Sequence, residues 1–131
     1  MFTRKFFLLI LLSSCSIGSI DTSNITFDGS FSSSDKFQFN KCLRATNEKI
    51  GLDNIEFKHS AENINSQGLE FNARYSLSLV MKTENIENIE LHSMRLDTTN
   101  YISSNMADAE KKEIKNLLIT DMCKSIIEYV E

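Results

Sequence analysis

The clearest pattern in the chain is a strict alternation of apolar and polar residues from Leu69 to Lys82. The apolar members are Leu69, Phe71, Ala73, Tyr75, Leu77, Leu79 and Met81. Alternation with a period of two predicts a long β-strand with one buried face. Because the other face is mainly polar, we expect an antiparallel sheet that is covered on one side only.

Two helices are predicted from apolar residues at helical spacing. The first is expected over residues 35–50, after N-cap chemistry at residues 32–35 and before a C-terminal cap at Gly51. The second is expected over about 105–130 and carries a broad apolar stripe, which favours contact with both the sheet and the first helix. The stripe consists of Ile114, Leu117, Leu118, Ile119, Met122, Cys123, Ile126, Ile127 and Val130.

Three shorter strands complete the predicted sheet. One lies within residues 25–31, one at residues 52–59, and one begins at Ile89 and is interrupted by a bulge near residues 93–94. Residues 60–68 are polar and predict a loop. The expected fold class is α+β, a two-layer sandwich in the order β-α-β-β-β-α. Its sheet has four mainly antiparallel strands, with two helices on one face.

The N-terminal residues follow a different pattern. Two basic residues precede a short apolar run, Phe6 to Leu12, and the run closes with Leu12-Ser13-Ser14-Cys15. A basic start, an apolar core and small residues predict a secretory signal peptide, and the cysteine makes this stretch resemble the lipobox of bacterial lipoproteins. The alternatives are an ordinary cleaved signal with a chance cysteine or an uncleaved anchor, although the run is shorter than the roughly 20 residues that span a bilayer.

The lipobox reading divides the chain into three parts. We predict a lipoprotein signal peptide over residues 1–14, a lipidated tether over 15–24 that begins at Cys15, and a single periplasmic domain over 25–131. The part that follows the signal has 117 residues, enough for one small core. It keeps 12 of the 14 basic residues and all 18 acidic ones, so its net charge is −6. An acidic domain without a basic cluster argues against nucleic acid as a partner.

The chain has three cysteines, Cys15, Cys42 and Cys123. If Cys15 carries lipid, the other two can form a disulfide, which an exported protein can retain. Cys42 and Cys123 would meet if the two predicted helices lay side by side on one sheet face. The alternative is two buried free thiols, which pack like small apolar groups.

No catalytic, cofactor or metal motif stands out. His59 and His92 are isolated from cysteines and carboxylates at metal-ligand spacing, and no serine sits in a nucleophile elbow. The acidic residues near the start of the second helix are balanced by neighbouring lysines and predict a solvated helix face. We therefore expect neither an enzyme nor a cofactor.

The polar face of the predicted sheet is the one candidate surface. It carries Arg74 and Lys82, and Arg95 is expected to join them. Guanidinium and ammonium donors suit phosphate or carboxylate groups. Simple solvation of the face is the alternative.

The lipobox and the order of the elements together resemble the LPS-assembly lipoprotein family LptE, also called rare lipoprotein B. The most similar stretch runs from Gly68 to Val130. It includes Arg74-Tyr75-Ser76-Leu77, Arg95-Leu96-Asp97 and the terminal helix with its Leu117-Leu118 and Ile126-Ile127 pairs. The chain departs from the family at Ser16-Ile17, where many members have Gly-Phe after the lipidated cysteine.

The resemblance implies a lipid-anchored protein on the periplasmic side of the outer membrane. Members of the family plug the LPS translocon barrel LptD, help it to assemble and bind LPS. LptD is therefore the expected partner and LPS a possible ligand, with Arg74, Lys82 and Arg95 as candidate contacts. The alternatives are a pilotin-like chaperone lipoprotein for a secretin and a periplasmic inhibitor module.

Overall fold

The computed structural model describes residues 24–131, which form a four-stranded sheet with two helices packed on one face. Its elements are β1 (Ile25–Phe27), α1 (Ser33–Cys42), β2 (Ile50–Ile64), β3 (Glu70–Thr83), β4 (Ile89–Asp97) and α2 (Ser104–Val130). The strands lie in the order β1-β2-β3-β4, with β1 parallel to β2 and the other pairs antiparallel. The predicted fold class and element order are confirmed. The predicted signal peptide, Cys15 and the tether up to residue 23 lie outside the described residues.

β3 is a central strand and organises the core. Its alternating apolar residues from Ala73 to Met81 are buried under the helices, as predicted. Arg74 and Lys82 are exposed on the opposite face. The sheet is therefore covered on one side only.

α2 lies across β3 and β4 and also contacts α1. Most of its predicted stripe is buried, but Leu117 is 39% exposed and faces away from the core. The structure joins Cys42 of α1 to Cys123 of α2 in a disulfide, with 6.2 Å between their Cα atoms. The two helices thus lie side by side and are covalently linked.

α1 ends eight residues earlier than predicted. Its last helical hydrogen bond runs from the Leu43 N–H to the Phe39 carbonyl, and Ile50 already belongs to β2. The Ile50 N–H donates to the Asn24 carbonyl at 2.8 Å, and the Asn24 side chain donates to backbone carbonyls of residues 46 and 47. Because pairing with the N-terminal strand uses these groups, the helical spacing of residues 46–50 does not produce a helix.

β2 differs from its prediction in length and shape. It extends to Ile64, into the predicted loop, because Asn63 pairs with Phe71 of β3. The sheet's register shift lies between Asp53 and Glu56 of β2. The predicted bulge in β4 is wrong, since the pairing of β3 with β4 is continuous over nine residue pairs.

The N-terminus of α1 is closed by a capping box, which provides a first test of the fold. The Ser32 hydroxyl accepts a hydrogen bond from the Asp35 N–H at 3.1 Å, and the Ser32 N–H donates to the Asp35 carboxylate. The variant Ser32→Ala leaves the Asp35 N–H without its side-chain acceptor, and we expect a loss of about 1 kcal/mol in the free energy of unfolding. Urea unfolding monitored by circular dichroism measures this loss.

Ser34→Ala is the matched control, because Ser34 is exposed in the first turn of the same helix. A change within about 0.5 kcal/mol is expected there. Equal losses for the two variants would contradict a specific capping role for Ser32.

Candidate functional site

The uncovered side of the sheet carries mainly polar side chains, and we call it the polar sheet face. The register of β2, β3 and β4 places alternate side chains of each strand on it. Its members are Asp53, Glu56, Lys58, Ser60, Glu62, Arg74, Ser76, Ser78, Val80, Lys82, Glu90, His92, Met94 and Leu96.

Lys82 lies on the polar sheet face near the C-terminal end of β3, beside the bulge in β2. Its ammonium lies 2.8 Å from the Asp53 carboxylate. The hydrogen bond and the charge of Asp53 raise the pKa of Lys82 above its ordinary value. Lys82 is thus held as a cation whose charge already has a partner.

Arg74 occupies the other end of the same strand. Its guanidinium lies 3.9 Å from Glu62, and Lys58 lies 3.3 Å from Glu56 between them. All of these side chains are more than half exposed, so each pair contributes little to stability. The polar sheet face is therefore a lattice of opposite charges rather than a basic patch.

Arg95 lies on the opposite, helix-covered face of the sheet, and the expectation that it joins Arg74 and Lys82 is corrected. It pairs in register with buried Tyr75. Its Nε and Nη2 donate to the two carboxylate oxygens of Asp121 on α2, at 2.8 and 3.0 Å. This bidentate pair fixes α2 against β4 and leaves Arg95 facing the helix rather than a ligand on the polar sheet face.

An apolar patch interrupts the charge lattice and was missed from the sequence. Met94 and Leu96 of β4 are 64% and 63% exposed. Met94 also borders a shallow depression of about 530 Å³ whose other lining residues include Lys58, Arg74 and Ser76. Extending the alternation of Ile89 and Leu91 through β4 without a bulge would have placed both side chains on this face.

Within residues 24–131, no three or more His, Cys, Asp or Glu side chains are grouped so that they could hold a metal ion. None of the helices in this range combines the length and apolar character needed to cross a membrane.

No protein-family model and no curated protein matches the sequence. Solved structures do match. A minor lipoprotein from Acinetobacter baumannii is similar with a TM-score of 0.51 at 12% identity, over 81% of this chain and 87% of that one. The chain shares the fold of that lipoprotein. A rare lipoprotein B from Shewanella oneidensis is similar with a TM-score of 0.49 at 12% identity, over 80% of this chain and 89% of that one.

At this identity the likeness concerns the fold alone. The resemblance to the LptE family is confirmed at the level of the fold, which a solved lipoprotein shares.

The turn between β2 and β3 contacts the connection between β4 and α2, at the end of the sheet opposite Lys82. The Asn65 side chain, in the turn between β2 and β3, donates to the Tyr101 carbonyl and to Asn100 at 2.7 Å each. The Tyr101 hydroxyl donates to the buried carboxylate of Asp97. Burial, together with this hydrogen bond, raises the pKa of Tyr101 well above its ordinary value. The hydroxyl therefore stays protonated and holds the connection from β4 to α2 against the turn.

A third loop supports the bulge in β2, beside the Lys82–Asp53 pair. The Asp28 carboxylate accepts hydrogen bonds from the Ser30 side chain, from the Ser30 N–H at 3.0 Å and from the Asn54 N–H at 2.9 Å. The Ser30 hydroxyl in turn accepts from the Ile55 N–H at 3.1 Å. Asn54 has a φ of 52°, a backbone conformation that asparagine tolerates better than most residues. The side chains of Asp28 and Ser30 thus accept hydrogen bonds from two backbone N–H groups that the bulge turns away from β3.

These contacts make stability depend on pH. The hydrogen bonds from Ser30 and then from Asn54 lower the pKa of Asp28 below its ordinary value of 3.8. Its contribution to stability is therefore present above pH 3.8 and is lost as the pH falls through the lowered pKa. We expect Asp28→Asn to reduce the melting temperature at pH 7 and to have a smaller effect at pH 3.

Thermal unfolding of both proteins between pH 3 and pH 7 tests this expectation. Glu87→Gln is the matched control, since Glu87 is an exposed carboxylate in the turn between β3 and β4. A difference between wild type and Asp28→Asn that stays constant over the whole pH range would contradict the ionised role of Asp28.

Proposed function

We propose that this chain is an envelope lipoprotein, anchored through Cys15 in the outer membrane with its domain on the periplasmic side. The lipobox-like residues before Cys15 support the anchor. The fold shared with the Acinetobacter baumannii minor lipoprotein supports the envelope assignment. The role proposed for the domain is binding and assembly rather than catalysis.

The proposed partner is the LPS translocon barrel LptD, and the proposed role is that of a plug and assembly factor. The observation that carries this role is the pairing of charges on the polar sheet face. Lys82 with Asp53, and Arg74 with Glu62, bring compensating charges into contact. A surface of paired charges can enter a narrow, water-lined barrel lumen without leaving an isolated ion at the interface.

The same pairing limits how the chain would contact LPS. Arg74 is the more available cation of the face, because its distance to Glu62 is 3.9 Å against 2.8 Å for Lys82 and Asp53. A phosphate group would have to compete with Glu62 for this guanidinium. The proposal therefore makes the barrel the principal partner and Arg74 the one face residue offered as an LPS contact.

Co-purification tests the proposed partner. The tagged full-length chain, extracted from membranes in detergent, should recover LptD, and its depletion should reduce folded LptD in the outer membrane. Cys15→Ala should remove the chain from the membrane fraction. Recovery of a secretin without LptD would contradict the proposal and favour the pilotin-like alternative, and protection of cell wall from lysozyme would favour an inhibitor.

Charge reversal tests the surface. Arg74→Glu together with Lys82→Glu places like charges beside Glu62 and Asp53, and we expect at least about a five-fold loss of recovered LptD. Lys124→Glu is the matched control, because Lys124 is exposed on α2, away from the polar sheet face. Equal recovery with the double variant and the control would contradict the use of this face.

A further inference from the structure

The two open edges of the sheet, β4 on one side and the part of β2 beyond β1 on the other, are protected very differently. Among the described residues, β4 pairs with β3 only, along a straight run of nine residues without a register shift. Every second residue of such an edge points its N–H and C=O away from the sheet, where they can pair with another strand. Natural edges are usually guarded by bulges, prolines or outward-facing lysines.

The open part of β2 carries such guards. β1 covers only its first three residues. Beyond them, the backbone N–H groups of Asn54 and Ile55 in the bulge donate to Asp28 and Ser30. Lys58 is exposed on the part of β2 that follows the bulge.

β4 lacks the corresponding guards. The chain has no proline. The one cation of β4 besides its histidine, Arg95, is turned towards Asp121 on the helix side. On the polar sheet face, the C-terminal half of β4 presents the exposed apolar side chains of Met94 and Leu96. The N-terminal half presents Glu90, whose carboxylate lies 3.3 Å from the His92 side chain on the same face. The edge of β4 therefore offers backbone groups for strand pairing, beside an apolar half and a half that carries Glu90.

The pattern of β4 does not complement itself. In an antiparallel pair of identical strands, residues that face each other lie on the same side of the sheet. A register that brings the two Met94 side chains together sets His92 opposite Leu96 and gives Glu90 no basic residue. The register that instead pairs Glu90 of each copy with His92 of the other sets Met94 opposite Asn88, outside β4. Because neither register satisfies both halves of β4, the pattern favours a foreign strand over a second copy.

We propose that the edge of β4 receives an extended strand from a partner protein, which adds a fifth antiparallel strand to the sheet. The partner strand places apolar side chains opposite Met94 and Leu96 and a lysine or arginine opposite Glu90. Main-chain hydrogen bonds to β4 hold the strand, and these side-chain positions select it. The selecting side chains belong to the polar sheet face, but the pairing of strands at this edge does not depend on the proposed function.

A synthetic peptide tests the proposal on the mature, lipidated chain in detergent. The probe is the heptapeptide Val-Thr-Ile-Thr-Thr-Thr-Lys, which matches β4 in antiparallel register. Hydrogen–deuterium exchange read by mass spectrometry should show about ten-fold slower exchange in residues 89–97 at millimolar peptide. A peptide with N-methylated backbone amides, or with glutamate in place of lysine, should not slow exchange in residues 89–97.

Variants assign the effect to the edge. Met94→Glu together with Leu96→Glu should abolish the protection. Ile64→Glu should leave it intact, because Ile64 is a comparably exposed apolar residue on β2. Absence of protection, or protection confined to β2, would overturn the proposal. Protection that rises with protein concentration in the absence of peptide would assign the edge to a second copy and overturn it as well.

Discussion

Removal of the disulfide should lower the free energy of unfolding by about 4 kcal/mol, since a cross-link that spans many residues restricts the unfolded chain strongly. Cys42 and Cys123 are separated by 81 residues, so their bond closes a loop that contains β2, β3, β4 and most of α2. The double variant Cys42→Ala and Cys123→Ala should therefore unfold at much lower urea concentration, and its melting temperature should fall by roughly 15 °C. Urea and thermal unfolding of oxidised wild type and of the double variant measure the effect.

Reduced wild type is the control that separates the cross-link from packing. Cys123 is buried, so its replacement by alanine also removes a sulfur atom from the core. Most of the loss should appear already on reduction with dithiothreitol, without any substitution. A difference below about 1 kcal/mol between oxidised and reduced protein would refute the stabilising role of the bond.

Phe39→Ala should destabilise the domain by about 3–5 kcal/mol. The Phe39 ring is fully buried, with its centroid 5.7 Å from that of Phe31 and 6.4 Å from that of Phe27. Truncation leaves a cavity between α1 and the start of the sheet, and it removes two aromatic contacts. Urea unfolding measures the loss.

Phe37→Ala provides the matched control for this prediction. Phe37 lies two residues earlier on the same helix and is 64% exposed. The same substitution there should change stability by less than about 0.5 kcal/mol. Comparable losses at both positions would contradict burial in the core as the source of the cost, since alanine itself favours the helix.

The sequence predicts the elements whose local pattern agrees with the final packing. β3 is an example, because every second residue from Ala73 to Met81 is apolar and buried under the helices. α2 is another, with a stripe that is wide because it meets both the sheet and α1. In these elements the side-chain period alone determines which face is buried.

The errors occur where a contact distant in sequence decides the local structure. Ile50 fits the helical spacing of α1, but its N–H pairs with the Asn24 carbonyl, and this places it in a strand. Residues 60–68 are mostly polar and predict a loop, yet pairing with β3 extends β2 as far as Ile64. Neither partner can be identified from the period of the segment itself.

The candidate site was predicted only in outline. Exposure of Arg74 and Lys82 follows from the alternation of β3, but their carboxylate partners depend on the bulge and register of β2. Arg95 breaks the expected pattern because its inward position is stabilised by Asp121, a residue on another element. A polar residue on a buried face can be recognised from sequence only when its partner is already known.

The parallel pairing of β1 with β2 determines how a tether can hold this domain. Asn24 lies beside Ile50 at the beginning of β2, whereas the turn near Asn65 follows the opposite end of that strand. A strand of 15 residues separates its two ends by about 45 Å. The proposed anchor at Cys15 would therefore hold the domain at the Asn24 end of β2. The distance from this end to the loop near Asn65 is set by the length of β2.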